Sequence, residues 1–322
     1  MEKHTPLDRL NYSGSLEPVV ADLCRAYRIG EPTNFSVIEV GYEDCNVTIQ
    51  TGTGRYLAKI FSKGRTPENI ARYTAIMQKV MEAGVNHPTL LKVNTGNFVY
   101  KDDHANGISM VTTKFVEGHT FLELDRAPDI NELRLVVEQA AKVNMISYHP
   151  SYLFDSWAIP NIQSMFGRVR EFIQPGDLKL VEHVMSRYVK IPVNSLPHCF
   201  VHGDFTKANV VKGDDNNIYI LDFSVSNWYP RIQELSVIAA NLLHDENDSR
   251  SLHDKSGIVA NEYSRFNPLT SEEQKHLYTY TLAGVAMEFM GSHQERYING
   301  NDTSETEYWF NLGREELRKA LS

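Results

Sequence analysis

The chain has 322 residues, of which 42% are hydrophobic and 23% are charged, and its formal net charge is -9. A chain of this length can form two domains with separate hydrophobic cores, and its ordinary composition argues against disorder. The negative charge argues against nonspecific nucleic-acid binding, because phosphate contacts need clustered Lys and Arg side chains.

Cysteine usage and hydropathy indicate where the protein works. Cys24, Cys45 and Cys199 are widely spaced and form no CxxC pair, so they suggest neither a disulfide framework nor a zinc site. The first residues lack the apolar region of a signal peptide, and no later stretch reaches the uninterrupted apolar length of a membrane span. The sequence therefore predicts a cytoplasmic protein without a membrane partner.

The first part of the chain predicts a helix followed by an antiparallel sheet. Apolar residues at helical spacing predict a helix over residues 15–28. Six short apolar runs predict strands: 35–40, 46–51, 55–61, 90–93, 97–100 and 108–115. Gly52-Thr53-Gly54 predicts a hairpin turn, and Thr66 followed by Pro67 predicts the start of a helix that ends near Gly84.

Beyond residue 115 the pattern is mostly helical. Six amphipathic segments predict helices: 132–147, 162–172, 177–189, 232–243, 271–292 and 305–321. Thr270 and Glu273 have the spacing of a capping box at the start of the fifth. We therefore expect an N-terminal domain of residues 1–115 and a C-terminal domain of residues 116–322.

The most informative segment is 200–223, FVHGDFTKANVVKGDDNNIYILDF, which holds Asp204, Asn209 and Asp222 between two strand-like apolar runs. A kinase needs one carboxylate to orient an attacking hydroxyl and accept its proton, and two oxygen ligands to hold Mg²⁺ on the nucleotide phosphates. Each residue alone could be a turn or loop residue, but the three at this spacing favour a phosphoryl-transfer site. His202 is expected to hold the loop by hydrogen bonds and to take no part in catalysis.

This segment resembles the kinase-like small-molecule phosphotransferases, which include aminoglycoside phosphotransferases, choline and ethanolamine kinases, methylthioribose kinases and one type of homoserine kinase. Their shared stretch, HGDxxxxN and then an apolar strand ending in Asp-Phe or Asp-Trp, stands here as His202-Gly203-Asp204, Asn209 and Leu221-Asp222-Phe223. The resemblance implies that Asp204 is the catalytic residue and that Asn209 and Asp222 bind the metal. Glu234-Leu235-Ser236 replaces the usual Asp-Leu-Ala, a departure that affects only a structural contact.

The resemblance also implies the fold class. We expect an α+β, bilobal protein-kinase-like fold, with an N-terminal antiparallel sheet lobe that binds the nucleotide and a larger, mainly helical C-terminal lobe. The C-terminal lobe would carry the catalytic loop and the acceptor pocket. ATP would lie between the lobes, with its adenine near residues 113–118, including Phe115 and Glu117.

Lys59 is the candidate for a phosphate-binding lysine on the nucleotide side. It interrupts a buried-type strand, as does the protein-kinase lysine that contacts the phosphates and pairs with a helix Glu. The alternative is an edge-strand lysine that faces water. Glu68 is the best available partner, although the helix dipole alone also favours an acid at that position.

Two loops are further candidates for phosphate contacts. The segment from Gly41 to Asn46, GYEDCN, lies where a kinase covers the phosphates with backbone N–H groups, and homoserine-kinase relatives carry a similar G-x-E-x-x-N loop. A plain hairpin loop is the alternative. Lys207 could reach the transferred phosphate, but it is offset by one residue from the protein-kinase loop lysine, and a solvated loop lysine is an equal alternative.

These features predict an ATP- and Mg²⁺-dependent kinase that phosphorylates a small-molecule hydroxyl, with an amino alcohol or amino acid as the first choice of acceptor. An aminoglycoside, choline, ethanolamine or a sugar are alternatives, as are a protein kinase and an ATP-binding pseudokinase. The protein-kinase alternative is weak because HGD replaces HRD and no Gly follows Phe223. Residues that could line the acceptor pocket, if they do not simply pack or face solvent, are Tyr278, Glu288, His293, Glu295, Tyr308 and Trp309. The oligomeric state stays open.

Overall fold

The computed structural model describes residues 5–39 and 41–321. The chain divides into two compact units, one holding residues up to Glu82 together with His87–Glu117, the other holding Ala83–Asn86 and the residues from Gly118 onward. The division lies two residues beyond the boundary that the sequence suggests. None of the described helices has the length and apolar character needed to cross a membrane.

The first unit is built on a five-stranded antiparallel sheet with the strand order β1-β2-β3-β5-β4. Its strands are β1 (Pro32–Ile38), β2 (Cys45–Thr51), β3 (Gly54–Ile60), β4 (Tyr100–Lys101) and β5 (Ser109–Lys114). Its helices are α1 (Leu16–Tyr27) and α2 (Pro67–Glu82). The apolar face of α1 packs on the sheet residues Val47 and Ile49, so this unit has a hydrophobic core of its own.

The predicted hairpin and helix start are confirmed. Thr51 pairs with Gly54 across the turn, and Gly54 has a φ of +145°, which glycine adopts without the steric cost of a Cβ atom. At the start of α2, the Thr66 hydroxyl accepts a hydrogen bond from the N–H of Asn69 at 3.2 Å. This is the capping contact that Thr66 and Pro67 predict.

The segment between α2 and β5 is less regular than its apolar runs suggest. The predicted strand at 90–93 is wrong, because it contributes only a single bridge from Leu90 to Thr113. A tight turn explains why: the N–H of Gly96 bonds the carbonyl of Val93, and the N–H of Val93 bonds the carbonyl of Asn97. The next predicted strand, 97–100, is also shorter than expected: the strand observed there is β4, which has only two residues and overlaps the prediction at Tyr100.

The second unit is mainly helical. Its helices are α3 (Ile130–Asn144), α4 (Ile162–Val169), α5 (Pro175–Tyr188), α6 (Ile232–Val237), α7 (Leu252–Tyr263), α8 (Ser271–His293) and α9 (Ser304–Leu321). Two π-helical segments, Ile238–Leu242 and Gln294–Asn299, continue α6 and α8. Helix α8 is buried along most of its length and starts at the predicted capping box, in which Thr270 and Glu273 exchange hydrogen bonds.

Two small antiparallel sheets carry the segment 200–223 of the second unit. Their strands are β6 (Gly118–Thr120), β7 (His198–Val201), β8 (Val210–Gly213), β9 (Ile218–Ile220) and β10 (Asn227–Pro230). One sheet has the order β6-β8-β9, and β10 pairs with β7 in the other. The chain leaves β7 into the HGD loop, returns as β8, and reaches Asp222 just after β9.

Candidate active site

His202 fastens the catalytic loop to the end of β9. Its Nε2 atom lies 2.7 Å from the carbonyl oxygen of Leu221, and its Nδ1 atom accepts the N–H of Asp204 at 3.0 Å. Because Nδ1 is an acceptor, the proton sits on Nε2. Burial lowers the pKa of His202 to about 4, so the ring is neutral, and the structural role predicted for it is confirmed.

Asp204 and Asn209 lie in contact at the two ends of this loop. The Nδ2 group of Asn209 donates to Asp204 Oδ2 at 2.6 Å and to the Asp204 carbonyl at 3.2 Å. Asn209 thus spends its amide donors on Asp204, so its carbonyl oxygen Oδ1 is the atom it can offer to a cation. The backbone carbonyl of Asn209 also accepts the N–H of Leu221 at 2.8 Å.

Asp222 is brought beside this loop by its neighbour Leu221. The backbone of Leu221 is bonded through its carbonyl to His202 and through its N–H to Asn209, so the next residue lies alongside both. Asp222 adopts a left-handed backbone with a φ of +53°, and its Oδ1 accepts from the N–H of Ser224 at 3.1 Å. The structure therefore brings the three predicted residues of the segment together.

The surroundings of Asp204 are strongly acidic. Burial raises the pKa of Asp204 well above its ordinary value, and the negative charges of Glu288, Asp155 and Asp222 raise it further. The residue nevertheless keeps partial exposure. A nearby cation would act against both effects, because opposite charge favours the ionised carboxylate.

Glu234 is a site residue that the sequence reasoning undervalued. It is fully buried at the start of α6, and its carboxylate accepts the backbone N–H of His202 and, at 3.1 Å, that of Gly203. Burial raises the pKa of Glu234 to about 8. Its position in the family pattern could have indicated this role, because relatives usually have Asp where this chain has Glu234.

Lys207 is buried, so the alternative of a solvated loop lysine is wrong. The residue is 3% exposed, and its backbone N–H donates to Asn241 Oδ1 at 3.0 Å. Burial lowers the pKa of the lysine, while the charges of Asp245 and Asp125 act in the opposite direction. Lys207 is therefore a loop residue whose side chain lies in the interior of the second unit.

Glu288 and Tyr308 are the two acceptor-pocket candidates that lie near the loop. Glu288, on α8, accepts from Asn241 Nδ2 at 2.8 Å, and its charge acts on both Asp204 and Tyr308. Burial raises the pKa of Glu288 to about 7, yet the residue remains partly exposed. Asn241, in the π-helical segment after α6, is thus a second residue that the sequence reasoning missed.

The other four acceptor-pocket candidates have partners of their own in the helical unit. His293 bonds the carbonyl of Phe289 at 2.8 Å, and Glu295 accepts from the side chains of Asn299 and Asn301. Tyr278 contacts the ring of His253, and Trp309 is buried against Tyr308. These contacts support the packing interpretation for all four.

In the first unit, Lys59 pairs with Asp44 and not with Glu68. The Nζ atom of Lys59 lies 3.6 Å from Asp44 Oδ2, with side-chain exposures of 9% and 1%, so the alternative of a lysine in water is wrong. Glu68 is exposed in the first turn of α2, where hydrogen bonds from its own N–H and from the Thr66 hydroxyl lower its pKa. The pairing predicted for Glu68 is therefore corrected: Glu68 bonds groups in the first turn of its own helix, and Asp44, close in space but distant in sequence, is a partner of Lys59.

The loop between β1 and β2 is anchored through Asp44. Its carboxylate accepts the N–H of Ser62 at 3.0 Å and pairs with Arg65 at 3.1 Å. Gly41 has a φ of +106°, a conformation that side chains disfavour, and Asn46 lies opposite Lys59 in the β2–β3 ladder. The predicted phosphate-covering residues Gly41 and Asn46 thus belong to the same part of the unit as Lys59.

Phe115 and Glu117 follow β5 at the end of the first unit. Both contact Arg55: its guanidinium lies 3.9 Å from the centre of the Phe115 ring and 2.6 Å from Glu117 Oε2. The Glu117 side chain is 54% exposed. The side chains of both residues at this predicted adenine position therefore contact Arg55.

Comparison with known proteins extends these observations to most of the chain. The family model of the APH phosphotransferase enzyme family matches residues 34–265. A homoserine kinase from Bradyrhizobium sp. (strain ORS 278) is 22% identical over 87% of this chain and 85% of its own length. A homoserine kinase from Rhodopseudomonas palustris (strain BisB5) is 24% identical over 84% of this chain and 82% of its own.

Solved structures show the same fold at low identity. Spectinomycin phosphotransferase APH(9)-Ia, in complex with ADP and spectinomycin, superposes with a TM-score of 0.69 at 11% identity, over 94% of this chain and 98% of its own. Choline kinase LicA from Streptococcus pneumoniae gives 0.62 at 12% identity, over 94% and 99%. The predicted protein-kinase-like fold class is confirmed. The family match covers more than half of the chain, and the chain therefore belongs to the APH phosphotransferase enzyme family, as a small-molecule kinase.

Proposed function

We propose that the protein is an ATP- and Mg²⁺-dependent kinase that phosphorylates the hydroxyl group of a small amine-bearing acceptor, an amino alcohol or a hydroxy amino acid. The observation that carries the proposal is the catalytic loop, in which the Asp204 carboxylate contacts the Asn209 amide at 2.6 Å and the backbone of Leu221 brings Asp222 alongside. These are the groups that phosphoryl transfer requires.

Asp204 orients the acceptor hydroxyl and receives its proton. The hydroxyl oxygen forms a bond to the γ-phosphorus while the bond from that phosphorus to the β–γ bridging oxygen breaks, and ADP leaves with the electron pair. Because the transition state is loose, most of the rate gain comes from orientation and charge balance. The contact with Asn209 holds the Asp204 carboxylate in place for this role.

Asn209 and Asp222 offer only oxygen donors to a cation, which is the ligand type that Mg²⁺ prefers. Mg²⁺, when bound there, supplies positive charge for the nucleotide phosphates. On the nucleotide side we assign Lys59 and the loop from Gly41 to Asn46 to the phosphates. The ADP in the spectinomycin phosphotransferase structure supports ATP as the donor.

The acidic character around Asp204 supports an amine on the acceptor. Glu288 and Asp155 both place negative charge near the catalytic carboxylate, and a cationic substrate group offsets the resulting repulsion. The homoserine kinases among the relatives act on a hydroxyl-bearing amino acid, which is consistent with this charge distribution.

An acceptor panel with a catalytic variant tests the proposal. ADP release would be measured with Mg²⁺-ATP and homoserine, aminopropanol, choline, ethanolamine, an aminoglycoside, methylthioribose and a peptide mixture. We expect turnover with amine-bearing small molecules, and Asp204→Asn to lower kcat by about 10²- to 10⁴-fold, the range for loss of a general base. Asp214→Asn, at an exposed position between β8 and β9, is the matched control and should retain activity.

Three results would contradict the proposal. A folded Asp204→Asn protein with wild-type turnover would remove Asp204 from catalysis. Turnover with the sugar alone would refute the amine-bearing acceptor. Transfer to peptides would instead favour the protein-kinase alternative.

A further inference from the structure

We propose that Lys207 binds the carboxylate of the acceptor, so that the substrate is a zwitterionic hydroxy amino acid and not a simple amino alcohol. The inference rests on the proposed function and assigns a recognition role that neither the catalytic nor the metal-binding residues fill. In this arrangement Lys207 takes the carboxylate, Glu288 takes the ammonium group, and Asp204 takes the hydroxyl.

The first observation is the state of the Lys207 side chain. The residue is 3% exposed, and within residues 5–39 and 41–321 no hydrogen bond or ion pair shorter than 4 Å reaches its Nζ atom. Lysines are almost never buried to this extent without a partner, because removing an ammonium group from water is costly. A bound carboxylate would supply the missing contact.

The second observation is that Lys207 and Glu288 share electrostatic neighbours. Three acids, Asp245, Asp125 and Glu246, act on Lys207 from a distance, and the charge of Lys255 opposes them. The same three acids act on the hydroxyl of Tyr308, which also lies within the influence of Glu288. Tyr308 is itself partly exposed.

The third observation is that one side chain contacts both the loop at Lys207 and the carboxylate of Glu288. Asn241 Oδ1 accepts the backbone N–H of Lys207 at 3.0 Å, and its Nδ2 donates to Glu288 Oε1 at 2.8 Å. Asn241 is fully buried in the π-helical segment Ile238–Leu242, a type of irregularity that is frequent at functional sites. One amide thus links the backbone of Lys207 to the side chain of Glu288.

Matched acceptors test the role of the carboxylate. Homoserine and 3-aminopropan-1-ol differ only by that group, and serine with ethanolamine is a second pair shorter by one methylene. KM and kcat would be measured for each with the wild type, Lys207→Met, Lys207→Arg and the control Lys190→Met, at an exposed position after α5. Binding of the same compounds would be measured by calorimetry.

Lys207→Met should raise KM for the carboxylate-bearing member of the pair by about 10- to 100-fold, the effect of losing a charged hydrogen bond. Its KM for the amino alcohol should stay within about twofold of the wild type, and Lys207→Arg should recover part of the loss. An equal change for both members, or wild-type protein that binds both equally, would overturn the proposal.

The two proposals fail in different ways. If no acceptor stimulates ADP release, the kinase proposal fails, and calorimetry alone then decides whether Lys207 senses a carboxylate. If acceptors are phosphorylated but Lys207→Met lowers kcat equally for all of them, the lysine acts on the transferred phosphate. That result would overturn the carboxylate assignment while leaving the kinase proposal intact.

Discussion

The charge balance around Asp204 is the main constraint at the scale of single residues. Its carboxylate lies in the field of Glu288, Asp155 and Asp222, and no compensating ion pair to it is present among the described residues. Burial and these like charges favour the protonated form of Asp204, whereas a nearby cation favours the carboxylate that a base needs. Cationic ligands in the site should therefore favour the active form.

Glu288 makes acceptor binding depend on pH. Burial raises its pKa to about 7, so it is neutral below that pH and charged above it, and the groups facing it are Asp204, Asn241 and Tyr308. KM for an amine-bearing acceptor should therefore fall as the pH rises through about 7, by up to about tenfold per pH unit on the acid side. KM measured between about pH 5.5 and 8.5 checks this.

Variants separate Glu288 from other titrating groups. Glu288→Gln should raise KM for amines and remove its pH dependence near neutrality, because the amide does not titrate. Glu272→Gln, at an exposed position on the same helix, should keep the wild-type profile. A Glu288→Gln protein with an unchanged profile would exclude Glu288 as the ammonium ligand.

At the scale of elements, the first turn of α6 supports the catalytic loop through Glu234. A glutamine in its place has one carbonyl oxygen, so it cannot accept the backbone N–H groups of His202 and Gly203 through two oxygens. Glu234→Gln should lower kcat by about tenfold or more with little effect on nucleotide KM. A loop that no longer holds its geometry loses orientation of the reacting groups.

The stability of the same variant should depend on pH with a defined sign. The folded state raises the pKa of Glu234 from 4.5 to about 8, so the protonated form stabilises the folded state. This stabilisation is complete below about pH 4.5 and is lost as the pH rises through about 8. Measured by thermal unfolding, the deficit of Glu234→Gln relative to the wild type should shrink from acid to alkaline pH. A constant deficit would show that Glu234 does not titrate in this range.

Elements with a clear apolar period could be predicted from the sequence, whereas helix α7 could not. Helix α7 was missed because its buried face carries Lys255, 1% exposed and paired with Glu316, and Glu262, which is paired with Arg134. The π-helical segment that places Asn241 has no local signature. The predicted helix over 232–243 therefore matches the combined extent of α6 and the π-helical segment. The prediction does not indicate that Asn241 faces the loop between β7 and β8.

Within the site, contacts between neighbouring segments were predictable and long-range pairings were not. The pattern around Asp204 and Asn209 is local, because both belong to the one loop that joins β7 to β8. Lys59 was identified from its strand, but its partner Asp44 follows from how the loop after β1 folds back toward Arg65. Several acidic residues lie at comparable distances from Lys59 along the chain, and no feature of the sequence identifies Asp44 as the one that pairs with it.

At the scale of the whole molecule, the two compact units carry different chemistry. The first unit holds the buried cation Lys59, and the second holds the acids around Asp204. Each unit has its own core, so a substitution in one should leave binding to the other measurable. We therefore expect nucleotide and acceptor binding to be separable by single variants.

Lys59→Met should weaken binding of Mg²⁺ with a nonhydrolysable ATP analogue by about 10- to 100-fold, because a charged contact to the phosphates is lost. Asp44 remains paired with Arg65 at 3.1 Å, so the variant should fold. Acceptor binding by Lys59→Met without nucleotide should be unchanged. In Glu288→Gln, calorimetry should show weaker acceptor binding and unchanged nucleotide binding. Lys63→Met, at an exposed position, is the control for Lys59. If Lys59→Met weakened acceptor binding as much as nucleotide binding, the assignment of the two ligands to separate units would be wrong.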